Sequence, residues 1–298
     1  MKICIYGAGA IGGLLGAQLA LAGQDVTLIA RGPHLAAIKS KGLTLRIDGA
    51  ERVARPAATD EPGTAGPQDY VIITMKAHSV APAAEAMQPL FGPETAVVTA
   101  MNGIPWWYFH ALPGPFLNHQ LKSIDPEGIL WRRISPTRCI GCVVYPAAEI
   151  VAPGVVQHQY GNRFMLGEPD GSHSARAVRL SEALTKAGFK SLIRPKIRDD
   201  IGLKLWGNLS FNPVSALTHA TLATIAGDPA TRDLVRRMMV EAQQVATHLG
   251  IKFDIDLETR IGWAADVGDH RTSMLQDLQL GRPMEIDALV TAVAEMGD

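Results

Sequence analysis

Lys204, Asn208 and Asn212 recur at intervals of four in the segment Asp200-Ile-Gly-Leu-Lys-Leu-Trp-Gly-Asn-Leu-Ser-Phe-Asn-Pro213. On a helix this spacing drifts by only about 40° per step, so the three side chains line one face. The other residues are mostly apolar (Ile201, Leu203, Leu205, Trp206, Leu209 and Phe211), the pattern of a helix that is largely buried. An amphipathic helix with a narrow wet face reads the same way. The chemical reading is a lysine and two amides lining a cleft between domains, where lysine donates a proton and amides orient polar groups of a ligand.

A second constellation lies at the N-terminus. Gly7-Ala8-Gly9-Ala10-Ile11-Gly12 has the form GxGxxG, which is weak in isolation. Here it follows a predicted strand, Ile3 to Tyr6, and opens a predicted helix from about Ala10 to Leu21, and that context makes it a dinucleotide site. The glycines permit a tight turn and close approach of a pyrophosphate, which the helix N-terminus attracts. An NAD-selective site places Asp or Glu at the end of the next strand; this chain has Leu28-Ile29-Ala30-Arg31-Gly32. A guanidinium at that position pairs with a 2′-phosphate, so NADP(H) is the expected cofactor.

Two further clusters, Arg271 to Asp277 and Gly281 to Asp287, read by themselves as capped helices, with Ser273 in one first turn and Glu285 in another after Pro283. Cys139-Ile-Gly-Cys142 has redox or zinc spacing, but no second metal-ligand pair follows and Val143-Val144-Tyr145 reads as strand, so the cysteines read as structural and no metal is expected. Three cysteines make no disulfide framework, and a cytoplasmic location is the default.

The elements that must hold these groups follow from length and pattern. A chain of 298 residues suggests two domains, and 47% hydrophobic against 19% charged residues is globular composition. The net charge of −1 gives no bulk attraction to nucleic acid or to an anionic membrane, and a small-molecule ligand remains. From Ile3 to Gln24 no charged residue occurs, which resembles an export signal, but five glycines break that run. No later apolar run is long enough to span a membrane.

Further strands are predicted at Val26 to Ala30, Val71 to Thr74 and Ala96 to Thr99, with a loop at 58–68 and antiparallel strands between Ile140 and Gly167. A helix at about 174–187 and a strand at 191–193 complete the first domain. Beyond Pro195 only helices are read: 199–212, 214–225, 229–248, 256–267, 270–279 and 283 to the end. The expected architecture is α/β: a doubly wound, Rossmann-type parallel sheet over 1–195, then an all-helical domain over 196–298. A homodimer through the helical domain is compatible with this reading.

Taken together, GAGAIGG, Arg31, Lys76 of TMKAHSV, Asn102-Gly103 of AMNGI, the KLxxNxxxNP of 204–213, the SMLQD starting at Ser273, and Glu285-Ile286-Asp287 resemble the ketopantoate reductase family over nearly the whole chain. The resemblance implies NADPH-dependent reduction of 2-dehydropantoate to pantoate in pantothenate biosynthesis. It implies Lys204 as general acid, Asn208 and Asn212 on the substrate's hydroxyl and carbonyl groups, and Ser273 on its carboxylate end. Glu285 is implied at the junction of cofactor and substrate and Asn102 at the nicotinamide and the substrate. Lys76 is implied in the cofactor cleft, and Ala148 as a backbone cofactor contact. Buried positive charge suits this reaction, because hydride arriving at a ketone carbon leaves negative charge on oxygen.

The chain departs from the family pattern at Met101, where glutamine is usual, and near Leu222, where a further substrate asparagine is usual. Pro105-Trp106-Trp107-Tyr108-Phe109 adds aromatic bulk, read either as a Pro-started helix with a core-packing face or as a reshaped acyl pocket. Two alternatives follow: a reductase of another branched or aromatic 2-keto acid, and a non-catalytic NADP(H)-binding sensor. Family members usually continue where this chain stops, so a segment beyond Asp298 is expected.

Overall fold

The apolar runs of the first half become strands covered on both faces. The computed structural model describes residues 1–298, and they form two compact units. One comprises Met1–Met101, Trp106–Gln120 and Glu127–Ile197; the other comprises Asn102–Pro105, Leu121–Pro126 and Arg198–Asp298. Two short segments of the span expected in the first domain therefore belong to the second.

In the first unit the strands are β1 (Lys2–Tyr6), β2 (Asp25–Ile29), β3 (Leu43–Ile47), β4 (Ala50–Ala54), β5 (Ala57–Thr59), β6 (Gln68–Ile73), β7 (Phe91–Thr99), β8 (Cys139–Val144), β9 (Ala147–Ala152), β10 (Val155–Tyr160), β11 (Arg163–Gly167) and β12 (Lys190–Ile193). Eight of them form one sheet in the order β12-β11-β8-β7-β6-β1-β2-β5. All its pairings are parallel except β8 with β11, and the order reverses at β1, as in a doubly wound sheet. The region 58–68, expected as loop, thus contributes part of β5, a short edge strand in register with β2.

The helices of this unit are α1 (Ala10–Leu21), α2 (Gly32–Lys41), α3 (Val80–Ala83), α4 (Ile129–Arg133) and α5 (Ala175–Lys186). The remaining strands form a second sheet, β4-β3-β10-β9, of which the sequence pattern foreshadowed only the antiparallel pair β9 and β10, within 140–167. It explains the uncharged N-terminal run. A Cβ on Gly16 would strike a Leu28 methyl in the main sheet, while one on Gly13 would lie 2.7 Å from Val156 Cγ2 in the second sheet. With a sheet on either side, α1 has no wet face, and everything from Gly12 to Leu19 is buried.

The aromatic run is core. Trp106, Trp107, Tyr108 and Phe109 are at most 3% exposed, and they form turns rather than the expected helix. Trp107 Nε1 donates to Thr99 Oγ1 at 3.1 Å, and its ring leaves no room for a Cβ on Gly141 of β8. Cys4, Cys139 and Cys142 are buried, and burial pushes the Cys4 thiol up to about 12 and Cys139 in the same direction, so neither is a thiolate at neutral pH.

The second unit holds α6 (Ile197–Thr218), α7 (Leu222–Gly227), α8 (Pro229–His248), α9 (Leu257–Asp266), α10 (Ser273–Gln279), a π-helical turn (Asp287–Thr291) and α11 (Ala292–Gly297). The break expected at Pro213 is absent, and α6 runs on through it to Thr218. Proline inside a helix costs about 3 kcal/mol. Burial on both sides offsets this, since Phe211 and Val214 are each 2% exposed and Ser215 is fully buried, its hydroxyl donating to Ala220 O at 2.7 Å. No helix is long and apolar enough to cross a membrane.

Candidate functional site

The first unit carries the glycine turn between β1 and α1. Gly7 has φ +108° and Met75 packs where its Cβ would be, 2.6 Å away at Cγ. A Cβ on Gly12 would run into the Gly7 carbonyl and come within 2.5 Å of Thr74 Oγ1, whose hydroxyl donates to that same carbonyl at 2.6 Å. Both glycines are thus required by close approach. Gly9 differs, because no atom lies within 4 Å of a Cβ placed there. It is the N-cap of α1, with no side-chain cap and no acidic residue in the first turn. Ala8, Ala10 and Ile11 complete this turn, and Ala8 N–H is held by Ile29 O at 2.9 Å. Open space above Gly9 and a helix start without an anionic side chain suit a dinucleotide pyrophosphate.

Arg31 is exposed at the N-cap of α2, immediately after β2, and its charge acts on the phenol of Tyr6 at the end of β1 against the upward push of burial. His34, three residues on, was missed by sequence reasoning. Its Nδ1 accepts from Gly154 N–H at 3.0 Å, which ties the second sheet to the first turn of α2. Nε2 is buried toward the Ala8 carbonyl, short of a hydrogen bond of normal length, and burial holds the imidazole below its ordinary value. The only signal was its place in the turn after Arg31. Lys76 follows Thr74 by two residues and caps a short 3-10 turn, so the glycine turn and Lys76 are brought together through Thr74 and Met75. Ala148 lies in β9, paired with His158, and packs partly buried against the core around α1.

The second unit carries the side-chain groups. Lys204 and Asn208 are half-buried on α6, and Asn212 is 5% exposed. The opposite face is anchored by Trp206, whose Nε1 donates to Met239 O at 2.7 Å and whose ring stacks on Phe253 at 4.5 Å. Two glycines interrupt this helix, each costing roughly 1 kcal/mol relative to alanine. A neighbour explains each of them. A Cβ on Gly202 would lie 2.9 Å from Ile251 Cγ2, and one on Gly207 would overlap the guanidinium of Arg260, with Cζ at 2.5 Å and Nε at 3.2 Å.

Ser273 is exposed at the start of α10, just after Thr272, whose hydroxyl caps that helix at Leu275 N–H. Glu285 is 6% exposed and precedes the last helix, where its carbonyl accepts from Leu289 N–H at 3.3 Å; it is not in a first turn as expected. Asn102 joins this group. Ile104 N–H donates to Ala288 O at 2.9 Å, and Gly103, with φ +84°, sits against Ala288 so closely that a Cβ would lie 2.7 Å from the alanine's own Cβ. Residues distant in sequence, Asn102 and the Glu285–Ala288 turn, are therefore neighbours in one unit, beside a π-helical turn of the kind common at functional sites. Leu222 has its backbone N–H bonded to His270 O at 3.0 Å, in the loop before Ser273.

Comparison with known proteins finds two family matches in the chain. Residues 3–171 match the family described as "Ketopantoate reductase PanE/ApbA", and residues 196–298 match "Ketopantoate reductase PanE/ApbA C terminal". A 2-dehydropantoate 2-reductase of Mesorhizobium japonicum is 54% identical over 298 residues, covering 100% of this chain and 91% of the relative. A crystal structure from Ralstonia solanacearum is 41% identical with a TM-score of 0.94, covering 99% of this chain and 91% of the other. The PanE/ApbA family ketopantoate reductase of Ralstonia eutropha superposes with a TM-score of 0.85 at 27% identity, covering 100% and 92%. The glycine turn and the lysine–asparagine helix thus stand within matched regions, and the chain belongs to the ketopantoate reductase family of oxidoreductases.

Proposed function

We propose that this protein reduces 2-dehydropantoate to pantoate with NADPH, with Lys204 as the general acid. The observation that carries the reading is the face of α6, where a half-buried lysine and two amides stand on a helix otherwise packed into its unit. When bound, the reduced nicotinamide supplies the hydride. Gly7, Gly9 and Gly12 leave room for the cofactor's pyrophosphate, Arg31 pairs with its 2′-phosphate, and Lys76 lines the cofactor cleft. Asn102 and Glu285 meet the nicotinamide end and the substrate. Lys204 gives its proton to the ketone oxygen as negative charge develops there, and Asn208, Asn212 and Ser273 hold the substrate's polar groups.

Burial of Trp106 to Phe109 in the first unit removes one reason to favour an aromatic substrate. The test is ketopantoate-dependent oxidation of NADPH by wild type and by Lys204→Ala. Turnover by the wild type and its loss in the variant are expected. A wild type without turnover on ketopantoate would overturn the substrate, and NADPH binding without turnover on any 2-keto acid would favour the sensor.

A further inference from the structure

Three strands of the main sheet end at or beside a threonine, and the three hydroxyls are used differently. Thr59, closing β5, accepts from Glu61 N–H in its own loop at 3.0 Å. Thr99, closing β7, accepts from the buried Trp107. Thr74, one step past the end of β6, reaches the glycine turn 67 residues earlier in the chain. Its place is set by the ladder. β1 and β6 pair in parallel with Tyr6 opposite Ile73, and Thr74 N–H extends the pairing to Tyr6 O at 3.1 Å, which brings Thr74 beside Gly7. The β-branched side chain has little rotamer freedom there, and its hydroxyl donates to Gly7 O at 2.6 Å.

Gly7 needs such a partner. Its φ of +108° is open to a residue without Cβ, and the same freedom lets the peptide between Gly7 and Ala8 rotate. Two bonds from outside the turn stop that rotation: Thr74 holds the peptide's oxygen, and Ile29 O holds its N–H at 2.9 Å. With the oxygen turned inward, Gly9 N–H also donates to it at 2.7 Å. The first bond of the helix, Gly13 N–H to Gly9 O at 2.7 Å, leaves the amides of Ala10, Ile11 and Gly12 outside the ladder of α1. A Gly7 carbonyl swung outward would set partial negative charge beside those amides, where an anion is to bind. Resting on the reading of this turn as the pyrophosphate site of a pyridine nucleotide, we propose that Thr74 is a positioning residue for the cofactor. Its hydroxyl keeps the Gly7 carbonyl inward, so that the head of α1 presents only N–H groups to the pyrophosphate. Arg31 distinguishes NADPH from NADH, whereas Thr74 acts, through Gly7, on the part that both share.

The test titrates wild type, Thr74→Val and Thr74→Ser with NADPH, NADH and adenosine 2′-monophosphate, which carries the phosphate meant for Arg31 but no pyrophosphate. Nucleotide fluorescence reads the first two affinities and calorimetry the third. Thr74→Val keeps the shape of the side chain and removes the donor. It is expected to weaken NADPH and NADH alike by about tenfold, the scale of one hydrogen bond whose acceptor is left bare, with the monophosphate unchanged. Thr74→Ser keeps the hydroxyl and should recover most of the affinity. Equal losses on all three ligands would show a general loosening of the unit and overturn the proposal, as would a serine variant as weak as the valine one, or wild-type affinity in Thr74→Val. If Thr74→Val gives no soluble protein, Thr74→Ala, which removes the donor without adding a methyl, goes through the same titrations and is decided by the same outcomes. A wild type that binds neither NADPH nor NADH overturns the cofactor reading and this proposal together, whereas binding that survives loss of the hydroxyl overturns this proposal alone.

Discussion

Helices α1 and α6 are both largely buried, yet they serve in opposite ways. In α1 every side chain is uncharged, the glycines at 13 and 16 let sheets close in from either side, and what it offers a ligand is its N-terminal backbone. In α6 the backbone is enclosed and the offer is made by side chains along one face, with a glycine at 207 that admits a cation from another helix. An anion can be held by bare peptide groups, because they need only point at it. Proton transfer needs a titratable group, so the second helix must keep polar residues within an apolar surface and bear the cost of their partial burial.

Substitutions at corresponding places on the two helices should break this contrast. The largest effect is expected from Lys204→Ala, a fall in kcat of about 10²- to 10⁴-fold with NADPH affinity retained, read by steady-state kinetics and cofactor fluorescence. Unchanged kcat would move the acid elsewhere. Gly12→Ala should reverse that profile. The new methyl meets the Gly7 carbonyl and Thr74, so nucleotide binding should fall by an order of magnitude or more, or the soluble yield should collapse, and wild-type affinity would mean that the turn yields freely. Arg31→Ala should weaken NADPH by about 30-fold while NADH changes little, and equal losses would remove the 2′-phosphate role.

The smallest effect is on stability in acid. The carboxyls of Asp228 and Asp256 are held below their ordinary value of 3.8 by the threonines that they cap, Asp228 chiefly by the Thr231 N–H and Asp256 chiefly by the Thr259 hydroxyl, with the Thr259 N–H second. The stability they give is present above that value and is lost as pH falls through their folded-state range. His34 and His270 are both held below 6.5 by burial, so the unfolded chain takes up protons there that the folded chain does not, and the loss begins earlier, as pH drops below that value. Thermal midpoints should decline from slightly acid pH downward. Asp228→Ala should cost about 2–4 °C at neutral pH and less near pH 3, and a gap that stayed constant with pH would rule out the carboxylate cap.

Sequence could be read well where one local pattern determined the structure. Glycine spacing placed the start of α1 at Ala10, and β-branched runs placed β1, β2, β6 and β7. It failed where distant neighbours decided. Nothing near Pro213 announces that Phe211 and Val214 are buried deeply enough to carry the helix through it. The hairpin of β3 and β4 is short and partly exposed, and it is the parallel pairing of β3 with β10, far along the chain, that builds it into the second sheet. The polar face of α6 was legible by periodicity. The reason for Gly207 was not, because the guanidinium that fills it comes from Arg260.

The small segment Leu121–Pro126 bears on synthesis at the ribosome. The carboxylate of Glu295 accepts from Lys122 N–H at 2.7 Å and from Ser123 N–H at 2.9 Å, across 173 and 172 residues. At an elongation rate of about 5–20 residues per second, that segment waits some ten to thirty seconds before its partner is even made. The helical unit cannot close as it emerges. Its closure must follow completion of the chain, and a gene fragment encoding only 198–298 would lack the strands of chain that Glu295 and Ala288 hold.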